Sequence, residues 1–509
     1  MVHSSTMEFY PTVEDFYKDG VIFLTGGTGF MGKVLLDTLL RRFPSIHSIY
    51  ILVRERKGVS PQERIEKMLD NELFEKMRKE VPEFKSKIKV LQGNIEQNNL
   101  GLSSDDFVQL TSNINIIFHC AATLRFDEEL KIAIRTNICA TQTVVKLAKQ
   151  CPHLRLFMYV STAFSNAYLK TIDEKIYSPP SHYSYLISLT QLGDDEKHTY
   201  ESAVKSLFEE NINTYTMTKA AAEQMIHEEA KDIPAAIFRP SIVISTNNEP
   251  IPGYIDNFYG PTGLVSGVMA GIIRSIYCNP SATADVIPAD MAINALVCSA
   301  WYSANSYYKK TSPVLPIFNY VSSTDNRITW LEFSNKTFGA ATKIPSSKAL
   351  WWYCYHLVED KTVYAIQSLF YHYLFAYIVD FCAPLTKSKL RLVPIYQRID
   401  KVMDVLEPFS TNEWSFINEN IHTLWDSLSP QEQAKFPFNI RDLDWTKYLE
   451  TYVKGILVYQ LQDKLDPETR KYARRRYKRI QVAHYSIQAF LCLLLLFLFV
   501  WTITSSTFL

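Results

Sequence analysis

Glycine is scarce in this chain, with 16 among 509 residues, roughly half the usual share. Cysteine is sparse too. The eight cysteines form no C-x-x-C pair and no Cys/His group at zinc-ligand spacing, which excludes a zinc module or a dithiol motif, and no metal is expected. Charge of one sign is also lacking. Lys+Arg and Asp+Glu number 53 each, so the basic surplus of a nucleic-acid binder is missing and no nucleic-acid partner is expected. No apolar signal segment opens the chain. Residues 1–20 are polar and acidic, so the cysteines read as reduced packing residues in a protein facing the cytosol. Repeats and low-complexity tracts are absent. What remains, 47% apolar and 21% charged, is globular composition, and the length suggests two to four domains.

The few glycines are clustered. Four lie between Gly26 and Gly32 and five between Gly253 and Gly271. Clustering against a low background marks places where the backbone geometry is demanding. The first cluster follows an apolar run, Val21–Leu24, and precedes a helical pattern over 30–42 with apolar residues at Val34, Leu35 and Leu39. Further strands are expected at 48–53, 88–91, 115–118, 154–160 and 235–238. Helices are expected over 61–80, 128–150 and 212–229, and an irregular polar insert over about 165–210. Strands alternating with helices at this spacing predict an α/β fold, a Rossmann-like doubly wound parallel sheet covered on both faces.

The strand-loop-helix sequence carries Thr25, Gly26, Gly27, Thr28, Gly29, Phe30, Met31 and Gly32, a G-x-x-G-x-x-G spacing. In a dinucleotide loop one glycine makes the tight turn, one lets the backbone approach the pyrophosphate, and one lets helix and strand pack closely. The helix N-terminus then stabilises the phosphate charge. After the second strand comes Arg54, with Glu55, Arg56 and Lys57 behind it. An arginine there suits a 2′-phosphate, so NADPH is the expected cofactor.

Tyr215 and Lys219 stand four apart, on one face of a helix. A nearby ammonium favours the phenolate and lowers the phenol's pKa, and such a tyrosine can donate a proton to a carbonyl oxygen during hydride addition. The fifth strand ends at Ser161 and Thr162. Either hydroxyl could hold a carbonyl, and alternation along a strand lets only one face the site.

The C-terminal half changes character near 345–350. The run 362–383 is long and apolar but contains His372 and Asp380. It reads as a buried helix of a second domain, with a membrane-surface or re-entrant segment as the alternative. Residues 470–479 hold seven Lys/Arg and no acid, and no charged residue follows from Tyr485 to Leu509. The stretch Tyr485–Ile503 is 19 residues long, roughly 28 Å as a helix, which matches the hydrocarbon thickness of a bilayer. Its basic flank places the N-terminal bulk in the cytosol. The expected organisation is a reductase domain over 1–345, a smaller mainly helical domain over 346–465, a basic segment over 466–484 and a C-terminal transmembrane helix over 485–504.

The motifs TGGTGFMG (25–32), HCAAT (119–123), YVSTA (159–163) and YTMTK (215–219) resemble the extended short-chain dehydrogenase/reductase superfamily. More narrowly, LLRRFPSIHSIYILVRERKG, IIFHCAATLRFDEEL, FRPSIV (238–243), PGYIDNFYGP (252–261) and DVIPADMAIN (285–294) resemble the alcohol-forming fatty acyl-CoA reductases. The resemblance is dense from about 15 to 340. It implies reduction of a long-chain fatty acyl-CoA by NADPH to a bound aldehyde, then by a second NADPH to the primary alcohol, with release of CoA. It implies that Tyr215 is the proton donor, Lys219 its partner and a ribose contact, and Ser161 or Thr162 the carbonyl's holder. Ala121 and Ala122 would lie beneath the cofactor. Asn137 would help place Lys219 through a water, and Pro240, Ser241, Ile242 and Val243 would lie beside the nicotinamide. Many extended members carry Gly-Asp after the third strand, whereas this chain has Gly93-Asn94-Ile95. The Asn side-chain oxygen can still accept the adenine hydrogen bond. The stretch 250–275 and the C-terminal domain would form the acyl tunnel. The resemblance is compatible with anchoring in the endoplasmic reticulum or the peroxisome and leaves the oligomeric state open. Two rival readings are an extended reductase for another lipid carbonyl, such as a sterol ketone or a fatty aldehyde, and a non-enzymatic tail-anchored scaffold that binds NADPH.

Overall fold

The computed structural model describes residues 9–210, 213–309, 315–383 and 391–506. These divide into two compact units. One comprises the chain up to Pro252 together with Thr283–Ile328 and Asn412–Leu443. The other comprises Gly253–Ala282, Thr329–Thr411 and the chain from Asp444 onward.

The first unit is built on seven parallel strands: β1 Val21–Thr25, β2 Ser48–Val53, β3 Ile88–Gln92, β4 Ile116–His119, β5 Leu156–Val160, β6 Ala235–Pro240 and β7 Ile317–Tyr320. Their spatial order is β7-β6-β5-β4-β1-β2-β3. The register runs Val21↔Ser48 from β1 to β2 and Ile22↔Ile116 from β1 to β4. Strands β4, β5 and β6 are buried along their whole length, as a sheet covered on both faces requires. Each large apolar side chain so buried contributes about 1.5–3 kcal/mol. The order reverses between β1 and β4, which opens the crevice where doubly wound sheets bind ligands.

Six of the seven strands and the doubly wound sheet match the expectation, with ends shifted by one or two residues. The seventh, Ile317–Tyr320, was not foreseen. It pairs with β6 through Phe318↔Phe238. The insert expected to be irregular contains two helices, Tyr183–Leu189 and Lys197–Glu210. Leu186 and Leu189 pack with Leu130, Ile134 and Met217, so apolar residues three apart fold this polar stretch onto the core.

Three helices position the site. α1, Phe30–Arg42, starts at Gly29. α2, Pro61–Leu69, starts at Ser60, whose side chain accepts from the Glu63 N–H, with Pro61 at the first helical position. α3, Thr214–Glu229, starts at Asn213, whose side chain accepts from the Thr216 N–H. Ala220, Ala221 and Ala222 in α3 are buried; small side chains let this helix lie close to its neighbours. The long helix expected over 128–150 is present as Leu130–Ile134, a π turn at Arg135–Cys139, and Ala140–Ala148.

The second unit is mainly helical. Trp330–Lys343 packs on Trp445–Gly455, and His356–Val358 pairs in parallel with Ser275–Tyr277. The apolar run read as a buried helix is helical over Lys361–Ser368, Leu369–Leu374 and Phe375–Cys382. Only one of its faces is buried, so that part of the expectation is corrected. The last helix, Pro467–Ser506, joins the basic run and the apolar run without a break. Among the described residues it alone is long and apolar enough to cross a membrane.

Candidate active site

The sequence-predicted residues gather where the strands end. Thr25 closes β1, Arg54 follows β2, Asn94 and Ile95 follow β3, Ala121 and Ala122 follow β4, Ser161 and Thr162 follow β5, and Pro240 closes β6. All of them lie at the carboxyl edge of the sheet, where such folds place their ligands.

The glycine loop has the geometry of a phosphate cradle. Gly26 adopts φ +74°, and a Cβ there would stand 2.7 Å from the Ala121 nitrogen. A Cβ on Gly32 would stand 2.2 Å from the Gly26 carbonyl oxygen. Gly26 therefore makes the turn, and Gly32 lets the first turn of α1 sit against the loop. Gly29 is exposed at the start of α1. No side chain caps that helix and no acid stands in its first turn, so its positive end suits an anion. These residues fit a dinucleotide pyrophosphate.

Beneath the loop, the Ala121 N–H donates to Thr25 Oγ1 over 3.3 Å, and Thr25 Oγ1 lies 2.7 Å from His119 Nδ1. His119 Nε2 lies 2.9 Å from Thr141 Oγ1, whose proton goes to the Asn137 carbonyl. Thr141 thus accepts, so His119 carries its proton on Nε2 and accepts from Thr25 at Nδ1. Burial, with Lys219 nearby, pushes the imidazole down to about 3, so it stays neutral and pins the loop.

Tyr215 lies in the first turn of α3 and keeps part of its surface accessible. The Thr162 hydroxyl lies close enough to lower the phenol's pKa. Thr162 Oγ1 accepts from the Phe164 N–H over 3.3 Å, which leaves the threonine proton free to be donated. Ser161 turns the other way and donates to buried Glu223 Oε1. Of the two hydroxyls left open by the sequence, Thr162 is the one beside Tyr215.

Lys219 corrects one expectation. Its Nζ donates to the Val160 carbonyl over 2.8 Å and to the Tyr159 hydroxyl over 3.2 Å. Burial lowers it to about 8, with Glu223 and Cys120 pulling the other way. The Tyr215 phenol is raised, not lowered. Burial is the largest cause, the Thr162 hydroxyl opposes it, and Glu223 adds to it. The helical spacing does put both residues on one face, but the lysine stem reaches to the end of β5.

Asn137 meets α3 at Thr218, the neighbour of Lys219, by donating from Nδ2 over 2.9 Å, and its Oδ1 accepts from the Thr123 N–H over 2.9 Å. Asn94 Oδ1 accepts from the Glu96 N–H over 3.1 Å. That uses one lone pair and leaves the second. Ser241 is tied by its N–H to the Tyr320 carbonyl, and Ile242 and Val243 pair with Val286 and Ile287. Arg54 is exposed, with Glu96 at 3.8 Å.

Two groups escaped the sequence reading. Glu223 and Arg239 form a bidentate pair at 2.9 and 2.6 Å with side chains 2% and 0% exposed. Arg239 also donates to the Asp173 and Lys175 carbonyls, each over 3.0 Å. The available signal was the continued four-residue spacing Tyr215, Lys219, Glu223. Arg64 in α2 is the other. Arg56 and Arg54 are close enough to lower its pKa, second only to burial, so three guanidiniums gather after β2.

Fold and loop together define a Rossmann-like oxidoreductase that uses a nicotinamide cofactor. A family model for an NAD-binding domain, described as Male sterility protein, matches residues 24–296, and a second with the same description matches 371–463. The chain is 36% identical to fatty acyl-CoA reductase wat of Drosophila melanogaster, over 93% of this chain and 90% of that one. It is 35% identical to fatty acyl-CoA reductase 1 of Homo sapiens, over 91% and 89%. Among solved structures it resembles in fold the reductase domain of a nonribosomal peptide synthetase from Mycobacterium tuberculosis (TM-score 0.58, 17% identity, 90% of this chain and 94% of that one). The chain belongs to the fatty acyl-CoA reductase family.

Proposed function

We propose that the protein reduces a long-chain fatty acyl-CoA to the primary alcohol at a membrane surface, using two NADPH and releasing CoA. The observation that carries this reading is Thr162 beside Tyr215, with Lys219 behind them, at the sheet edge that also bears the glycine loop. A bound reduced nicotinamide supplies hydride. Thr162 and Tyr215 present hydroxyls that hold a carbonyl oxygen. In the first reduction the thioester carbon gains hydride, its C–S bond breaks, and CoA leaves as the thiolate, which takes a proton from solvent. In the second the aldehyde carbon gains hydride and its oxygen takes the Tyr215 proton. Burial keeps that proton on the phenol until it is needed. Lys219 keeps a positive charge near the transferring proton and is the candidate ribose contact.

The loop Thr25–Gly32 would hold the pyrophosphate, and Asn94 the adenine. Ala121, Ala122 and Pro240–Val243 would line the nicotinamide side. Arg54, with Arg56 and Arg64, supports NADPH over NADH, since clustered guanidiniums suit a 2′-phosphate. The basic flank of the last helix supports a cytosolic catalytic unit, with the anchor in the endoplasmic reticulum or the peroxisome. Purified full-length protein given palmitoyl-CoA should consume two NADPH for each CoA released and yield hexadecanol. One NADPH per turnover with no CoA release would instead assign it another lipid carbonyl.

A further inference from the structure

We infer that the helix Lys361–Cys382 lies in the surface of a lipid bilayer, beside the last helix, with its outward face embedded among the acyl chains. This rests on the reading of Tyr485–Ile503 as a membrane span.

The helix is amphipathic with its faces reversed. Its polar side chains turn into the unit. Gln367 is hydrogen-bonded to Ser275. His372 Nε2 accepts from the Arg274 and Ser275 N–H groups over 3.0 and 3.3 Å. Tyr373 donates to Asp400, and Asp380 accepts from the Leu392 and Val393 N–H groups. The outward face carries Ile366, Phe370, Leu374, Tyr377, Ile378 and Phe381, all exposed, Phe381 by 81%. The spacing of three and four residues puts them on one side. An apolar face of this size on a polar rim marks an interaction surface.

The occupant is indicated by what stands next to it. Phe375 packs on Trp351 with ring centroids 5.6 Å apart, and Trp351 Nε1 lies 3.1 Å from His484 Nδ1. Trp352 lies 4.4 Å from Tyr477 and 6.3 Å from Tyr485. Tyr485 begins the uncharged apolar stretch. Two tryptophans and two tyrosines therefore ring the foot of the span, where interfacial aromatics sit at headgroup level. Of the seven basic residues of 470–479, Arg470 is paired with Asp463 and Arg476 donates to the Ala349 carbonyl; the other five are exposed and favour anionic lipid. Phe375 belongs to the helix in question, so its contact with Trp351 ties that helix to the foot of the span. A helix with such a face lies in the interface plane.

The test places the photoreactive residue p-benzoylphenylalanine singly at Phe370, Phe381, Leu495 and Tyr185 of the full chain. Each protein is reconstituted into vesicles of phosphatidylcholine and phosphatidylserine that carry an alkyne-tagged phosphatidylcholine, and retained NADPH binding checks the fold. Phe370 and Phe381 should label lipid about tenfold more than Tyr185, a surface position of the first unit, approaching Leu495 within the span. Crosslinking of Phe370 or Phe381 to a second copy of the chain, or lipid labelling no greater than at Tyr185, would overturn the inference while Leu495 still labels. Loss of labelling at Leu495 would overturn the span itself.

Discussion

Tyr215 holds its proton because burial opposes the phenolate, while the neighbouring Thr162 hydroxyl works the other way. The charge behind the pair is conditional. Lys219 is held near 8 instead of 10.5 by burial. The alkaline limb of kcat/KM should therefore fall near pH 8, and Lys219→Arg should move it upward; a limb that ignores this change would remove Lys219 from the proton path. The same shift gives the folded chain added stability as pH rises from about 8 toward 10.5, since only the unfolded lysine stays charged in that window. Deeper in, Arg239 and Glu223 have no water to fall back on. Arg239→Met leaves a buried carboxylate unpaired and should cost about 3–5 kcal/mol, measured as a lower denaturant midpoint; a loss under about 1 kcal/mol would mean that water reaches the pair. That Tyr215 and Lys219 share one helix face was legible from their spacing. Glu223 was not, because an acid on a helix reads as solvated until its partner, sixteen positions on in β6, is seen beside it. The direction of the Tyr215 shift was also illegible, since spacing says nothing about where a flexible lysine stem ends.

Elements set what a single position tolerates. The loop from β1 into α1 admits no Cβ at Gly32, where the Gly26 carbonyl oxygen is 2.2 Å away. Gly32→Ala should push the loop out of shape and weaken NADPH binding at least about tenfold, roughly 1.4 kcal/mol. A fluorescence titration would read this, and unchanged affinity would mean that the loop does not carry the phosphates. This loop was readable because its glycines stand out from a glycine-poor chain between a buried strand and a periodic helix. β7 was not readable, because its four residues follow a proline and resemble any short apolar run. The two helices of the insert were hidden by their polar outer faces. The π turn at Arg135–Cys139 leaves no trace in apolar spacing, yet it carries Asn137, whose side chain joins α3 to the strand-four loop.

At the scale of the whole molecule, zero net charge conceals a division of labour. The candidate site lies at a sheet edge of one unit, while the other ends in a basic foot and an apolar helix. Substrate and product of the proposed reaction partition into lipid, at about 0.8 kcal/mol per methylene, so an enzyme held at the bilayer meets both where they concentrate. The helical character of the second unit was legible; the outward apolar face of Lys361–Cys382 was not, since composition cannot tell an inward face from an outward one. The account as a whole depends on one phenol acting beside a bound nicotinamide. The most direct measurement compares full-length protein with Tyr215→Phe for both NADPH affinity and palmitoyl-CoA turnover. The account predicts unchanged affinity with turnover lowered by about 10²–10⁴. Turnover that survives the loss of this hydroxyl would contradict it.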